Sequence, residues 1–126
     1  MALIVNITEK EPKSYNVAVA GTLDSNSFSI LERELDKVFP KKPNLIVFDL
    51  QGLDYISSAG VRVVSKTRKV MKEHNGIVLM VNLQPQIKDV FDIIKALPPE
   101  QVFESVTELD NYLYAMQNKR LEEMKP

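Results

Sequence analysis

The chain has 126 residues, no cysteine and a single histidine, His74. One domain is expected at that length, and disulfides, thiolate metal sites, a cysteine nucleophile and a His-rich metal site are excluded. With 16 basic and 17 acidic side chains, the chain carries no net field to draw it to nucleic acid or an anionic membrane.

The apolar start, Met1 to Ile7, has no basic region before it and no small-residue cleavage site, so it does not read as a signal peptide. No apolar stretch approaches the roughly 20 residues needed to cross a bilayer. A soluble, cytoplasmic protein without membrane insertion is expected.

Leu3 to Ile7 is a β-rich run. A charged turn containing Pro12 follows, and then Tyr15, Val17 and Val19 alternate with Asn16, Ala18 and Ala20 as far as Gly21. Two such runs joined by a turn predict a hairpin. From Ser25 to Phe39 the period changes: Phe28, Leu31, Leu35 and Val38 share one helical face. Asp24, Ser25 and Asn26 are candidate caps, and Pro40 lies past the end.

Leu45 to Phe48 is a continuous apolar run, the pattern of a strand covered on both faces. After a short turn, Ser57 and Ser58 open a second helix with Val61, Val64 and Met71 inward and Gly76 at its C-terminal end. Ile77 to Val81 predicts another buried strand. Pro85 starts a third helix carrying Ile87, Val90, Phe91 and Ile94 at helical spacing, and Pro98-Pro99 ends it. Val102-Phe103 is a very short strand candidate. Ser105 and Glu108 have capping-box spacing for a last helix with Val106, Leu109, Leu113 and Met116 inward.

The predicted order is β-β-α-β-α-β-α-β-α, an α/β fold in which a mixed β-sheet carries packed helices. Apolar strands each followed by a helix imply parallel pairing through right-handed crossovers. The domain is expected over residues 1–118, with 119–126 a charged tail.

No glycine-rich phosphate loop is present: Gly52-Leu53-Asp54 lacks the glycine spacing of a dinucleotide or phosphate site. Asp49 ends an apolar strand, where phospho-accepting aspartates of receiver domains sit. The first strand ends in Asn6-Ile7-Thr8, without the acidic pair such a site needs for magnesium, so Asp49 reads as a turn residue. His74 lies at a helix end, where it is expected to meet the last carbonyls and solvent. No carboxylate pair stands out as a general acid and base. An enzyme built on Asp49 or Asp54 would require a deep polar pocket at the strand ends.

Phe48 to Val64 carries the most specific pattern. An apolar strand ends, a turn follows, and two serines meet the first turn of a helix, whose free N–H groups and positive dipole end attract an anion. Ala59 and Gly60 add little bulk, which predicts a serine hydroxyl approachable from outside. The alternative is that Ser57 or Ser58 is only an N-cap, worth about 1 kcal/mol. Arg62, Lys66 and Lys69 follow on one helical face, either as a docking stripe for an acidic partner or as a solvated face.

The segment Leu53-Asp54-Tyr55-Ile56-Ser57-Ser58-Ala59-Gly60 resembles the signature of STAS-domain anti-sigma factor antagonists. There an apolar strand and a Leu-x-(Phe/Tyr)-(Ile/Met) stretch lead into Asp-Ser-(Ser/Thr/Ala)-Gly. Gly21-Thr22-Leu23-Asp24 resembles that family's Gly-x-(Leu/Ile)-Asp, and the order of elements fits over nearly the full length. Three features depart from the pattern: Ser57 in place of the common aspartate, Arg62 in place of a second glycine, and Pro98-Pro99 in place of Gly-Leu.

The resemblance implies a STAS-like domain that works by binding and not by catalysis. It makes Ser58, two residues before Gly60, the phosphorylated residue, with Asp24 near it. The implied partner is an anti-sigma factor that is also an ATP-dependent serine kinase, reset by a serine phosphatase. ATP belongs to the kinase, so no cofactor is expected. Docking is expected to use Asp24, Ser57, Ser58, Ala59, Gly60, Arg62 and Lys66. The alternative within the same resemblance is a constitutive adaptor that is never phosphorylated, such as a subunit of a lipid-transport ABC system.

Overall fold

The computed structural model describes residues 2–96 and 102–125. A hairpin of β1 (Ile4–Glu11) and β2 (Ser14–Leu23) opens the chain, followed by α1 (Phe28–Asp36) and a 3-10 turn (Phe39–Lys41). Then come β3 (Leu45–Asp49), β4 (Leu53–Ile56), α2 (Ser58–Glu73), β5 (Ile77–Val81), α3 (Pro85–Ala96) and α4 (Val106–Glu123). The strand order is β1-β2-β3-β5; β1 is antiparallel to β2, and the other pairings are parallel.

The long β2 accounts for the placement of β4. Its first half pairs with β3 from Ser14–Leu45 to Ala18–Asp49, and its last residues pair with β4, with Leu23 opposite Ile56. Within the β2–β4 ladder the register shifts between Gly21 and Thr22; the φ of 101° at Gly21 is open to glycine, and the Gly21 N–H donates to Gly52 O at 2.9 Å. A Cβ on Gly52 would stand 2.7 Å from that of Ala20, so the turn between β3 and β4 lies directly on β2. The chain from Leu45 to Ile56 thus follows one edge of β2 in two steps and delivers Ser57 and Ser58 at its far end.

Two expectations are corrected here. The stretch before Ser57 is not only a turn: Leu53–Ile56 is a strand, with Leu53 and Ile56 fully buried. Conversely, Val102-Phe103 forms no strand; Phe103 packs its ring on Tyr112 at 5.4 Å. The outer edge of β4 and the turn before it are instead met by side-chain amides: Gln84 Nε2 donates to Gln51 O in the turn, Gln86 Nε2 to Asp54 O, and Gln117 bonds both backbone groups of Ile56.

The core lies on one face of the sheet, where Val17, Val19, Ile46 and Phe48 meet Leu31 and Leu35 of α1 and Val61, Val64 and Met71 of α2. Each fully buried apolar side chain of this size contributes about 1.5–3 kcal/mol. The opposite face stays open. β3 and β5 alternate in burial, and Ile77 and Leu79 are exposed, so these strands are covered on one face and not on both. The reason is that α3 packs on β4 and α4 rather than across β3 and β5.

The first helix is shorter than expected, because Asp24 to Ser27 forms a turn in which Asp24 O accepts the N–H groups of Ser27 and Phe28. At the end of α2, Asn75 and not Gly76 takes the left-handed conformation (φ 65°), while the Gly76 N–H closes back on Met71 O. Residues 119–123, expected as tail, continue α4. Pro98-Pro99 lies outside the described residues.

Candidate functional site at the start of the second helix

Ser57 is the extended N-cap residue of α2, and Ser58 is its first helical residue. The Ser57 N–H donates to Leu23 O at 2.9 Å, which ties the helix start to the end of β2 beside Asp24. Gly60 packs close: a Cβ there would lie 2.7 Å from Ile56 Cγ1 and Leu23 Cγ. Its small size therefore seats the first turn of α2 on the sheet; it does not open the serine to solvent.

Both serines are only 5% exposed, and neither Oγ has a hydrogen-bond partner among the described residues. The expectation of an approachable hydroxyl is corrected by the position of α4. Asp110 Oδ1 accepts the Ser58 N–H at 2.9 Å. Seven residues further along the helix, Gln117 Oε1 accepts from Ile56 N at 3.1 Å and Gln117 Nε2 donates to Ile56 O at 2.8 Å. The last helix thus caps α2 and completes the edge of β4. Neither serine side chain performs the N-cap role open to it; a carboxylate from 52 residues away occupies that position.

Asp24 works within its own turn. Its Oδ1 accepts the Asn26 N–H at 2.9 Å and lies 3.2 Å from Ser27 Oγ, and its N–H donates to Ser27 Oγ. Tyr55 links the two acidic residues. Burial first, then the Asp110 and Asp24 carboxylates, push its phenol above the ordinary tyrosine range. Its ring meets Tyr114 of α4 edge-on at 6.0 Å.

Ala59 and Gly60 are buried, whereas Arg62, Lys66 and Lys69 are exposed along α2. Lys66 approaches Glu32 of α1 at 3.6 Å, an exposed pair worth about 0–1 kcal/mol. Arg62 lies between two clefts: one toward α1, lined by Phe28, Glu32 and Lys66, the other toward α4, lined by Ser58, Val61, Phe103, Val106 and Leu109. The structure thus brings Ser57, Ser58 and Arg62 to one end of α2, with Asp24 at the adjoining strand end, and sets Lys66 two turns along. Asp110 and Gln117 were missed by sequence reasoning. Glu108, three residues after Ser105, marked the start of their helix, and its N–H does bond Ser105 Oγ at 3.1 Å. Nothing local marks Asp110 or Gln117 as inward.

Asp49 and Asp54 line neither cleft. Asp49 Oδ1 accepts from Gln51 N–H and Asn82 Nδ2, the bonds of a turn residue. His74 is the C-cap residue of α2 through its backbone N–H to Met71 O. Its ring Nε2 lies 2.7 Å from Pro43 O, so the side chain ties the end of α2 to the loop before β3 instead of meeting the last carbonyls of its own helix.

The STAS domain family model matches residues 7–109, most of the chain and all of the sheet from Ile7 onward. The chain belongs to the STAS domain family. A relative in Bordetella bronchiseptica, the candidate anti-sigma factor antagonist BtrV, is 38% identical over 73 residues. That stretch is 58% of this chain and 63% of the relative, a little under two thirds of its length.

Among solved structures, the anti-sigma factor antagonist SpoIIAA in its unphosphorylated form superposes with a TM-score of 0.67 at 16% identity, covering 75% of this chain and 84% of that one. Bacillus SpoIIAA in the phosphorylated form gives 0.63 at 16% identity, covering 76% and 86%. An anti-sigma factor antagonist from Mycobacterium paratuberculosis gives 0.63 at 19% identity, covering 92% and 95%. At these identities the likeness establishes the fold: the mixed sheet and helices of a STAS domain. Among the described residues no helix is long and apolar enough to cross a membrane.

Proposed function

We propose that this STAS domain is an anti-sigma factor antagonist, which binds an anti-sigma factor through the surface around the start of α2 and is switched off when Ser58 is phosphorylated. The observation that carries the reading is the position of Ser58. It is the first residue of α2, it follows the strand end that bears the family signature, and a carboxylate already occupies its N–H. The relationship to BtrV supports the antagonist role, and the phosphorylated form of SpoIIAA supports the modification. The kinase is read as the anti-sigma factor itself, using its own ATP, with a serine phosphatase as the resetting enzyme. Asp24, Ser57, Ala59, Gly60, Arg62 and Lys66 complete the docking surface, the buried members by shaping it and Arg62 and Lys66 by presenting charge. The domain is taken as residues 1–118, a boundary that α4 overruns as far as Glu123.

In this mechanism the domain performs no chemistry of its own. Unmodified, Ser58 is uncharged at a helix start followed by the basic residues of α2. A phosphate adds about −1.5 to −2 charges at neutral pH, in a place where Asp24 and Asp110 are already negative. Co-purification from the native host, with the bound protein identified in the presence and absence of ATP, tests the reading. An anti-sigma factor that is retained without ATP and lost with it is the expected result.

One observation favours a second reading. The Ser58 hydroxyl is buried and unpartnered, as suits a constitutive adaptor, such as a transporter subunit, whose serine is never modified. Absence of phosphate on Ser58 in protein isolated from cells under all growth conditions would establish that alternative.

A further inference from the structure

The last helix is held by a narrow footprint. Of the eighteen residues of α4 only Leu109, Leu113 and Gln117 are buried, a single row at four-residue spacing. Val106, expected to face inward, is 52% exposed. By comparison α2 buries eight of its sixteen residues and forms part of the main core. Elements with few buried contacts open at lower free energy than the core and do so independently of it.

That row nevertheless sits beside a polar junction. Asp110 bonds the Ser58 N–H at 2.9 Å, Gln117 bonds both backbone groups of Ile56, and the Ser57 and Ser58 hydroxyls are buried beneath without partners. Arg120 adds an exposed ion pair to Asp89 of α3 at 3.4 Å. A negative group on Ser58 would compete with Asp110 for the same N–H and repel its carboxylate. The tethered group wins that competition, because it cannot leave the helix start whereas α4 can.

From this juxtaposition we infer that α4 is a releasable strap: it docks over Ser58 while that residue is neutral and is expelled when Ser58 carries negative charge. The inference rests on the reading of Ser58 as the modified residue and adds a device to it. Docked, the strap shields the hydroxyl, so modification proceeds through a transiently opened α4. Expelled, it uncovers Leu109 and Leu113, the walls of the cleft beside Val61, and the backbone edge of Ile56. The modification is thereby converted from a local charge into a change of surface extending over the end of the sheet.

The test needs only the purified full chain and no partner. Amide hydrogen exchange across Leu109 to Gln117 is compared in Ser58→Glu, in Ser58→Gln as the neutral variant of equal size, and in Ser58→Glu combined with Asp110→Asn. Exchange in α4 is expected to be about tenfold faster in Ser58→Glu than in Ser58→Gln, with β2 and β3 unchanged. Asp110→Asn should restore protection to within about threefold of Ser58→Gln, since an amide can donate to the new carboxylate. Equal exchange in the Glu and Gln variants would mean that bulk, not charge, opens α4, and would overturn the strap. So would a failure of Asp110→Asn to restore protection. Loss of partner affinity on phosphorylation with α4 still protected would reject the strap and keep the switch; released α4 with unchanged affinity would do the reverse.

Discussion

The Asp110 carboxylate of α4 accepts the backbone N–H of Ser58 at 2.9 Å, across 52 residues of chain. A helix start presents N–H groups without intrahelical partners and a positive dipole end, and here a side chain from another helix satisfies it. Removing that side chain should cost what a charged cap contributes. Asp110→Ala is expected to lower stability by about 1 kcal/mol, within the usual 0.5–2 range for caps, and Asp110→Asn by less, because its carbonyl oxygen still accepts. Urea denaturation of the three proteins measures this.

Gln117 holds a costlier position. It is fully buried and satisfies both the N–H and the C=O of Ile56. Gln117→Met keeps the volume and leaves two buried backbone groups unpaired, at roughly 1–3 kcal/mol each. A loss of about 2–6 kcal/mol is expected in the same denaturation experiment. A loss below about 0.5 kcal/mol, the range of an ordinary surface substitution, would mean that water replaces the amide.

Tyr55 reports on the same junction. Its phenol is held above the ordinary value of 10.0 by burial, then by Asp110 and Asp24. Because the folded-state value lies above the unfolded one, its contribution to stability is complete below the ordinary range and is lost as pH rises through the raised value. In an NMR titration of the tyrosine ring signals, Tyr55 is expected to ionise late, and Asp110→Asn should move it part of the way back. The residual shift belongs to burial, Asp24 and Tyr114.

The sequence marked these elements unequally, for physical reasons. The apolar runs Leu45 to Phe48 and Ile77 to Val81 identify strands by themselves, and Pro85 and Ser105 mark the starts of α3 and α4. Burial of those strands on one face only was not legible, since a continuous apolar run reads alike whether or not a helix covers its second side. β4 escaped notice because four residues, Leu53 to Ile56, give too short a period and find their partner in the extended end of β2. At the site, the family signature located Ser57 and Ser58 correctly on a helix start. Their burial depends on Asp110 and Gln117, polar residues on a weakly amphipathic helix, which composition alone assigns to solvent.

Under the proposed switch, register decides which serine is the expected phosphate acceptor. Ser58 lies two residues before Gly60, whereas Ser57 occupies the place of the family's common aspartate. Fragment-ion mass spectrometry after incubation with the native kinase should find the phosphate on Ser58 and none in Ser58→Ala. Phosphate on Ser57 that persists in Ser58→Ala would show the register to be off by one.

The switch itself is tested most directly by calorimetric titration of the co-purified anti-sigma factor with unmodified and fully phosphorylated protein. Two unit charges about 4 Å apart near a surface repel by up to about 4 kcal/mol before relaxation and screening. The dipole of α2 offsets at most about 2 kcal/mol of that at a partly buried helix start. A surviving loss of about 1.4 kcal/mol weakens binding tenfold. The phosphorylated protein is therefore expected to bind at least about tenfold more weakly, Ser58→Ala to bind like the unmodified protein, and Asp24→Asn to soften the effect of Ser58→Glu. Equal affinity of the unmodified and fully phosphorylated proteins would contradict the switch and leave a constitutive adaptor in its place.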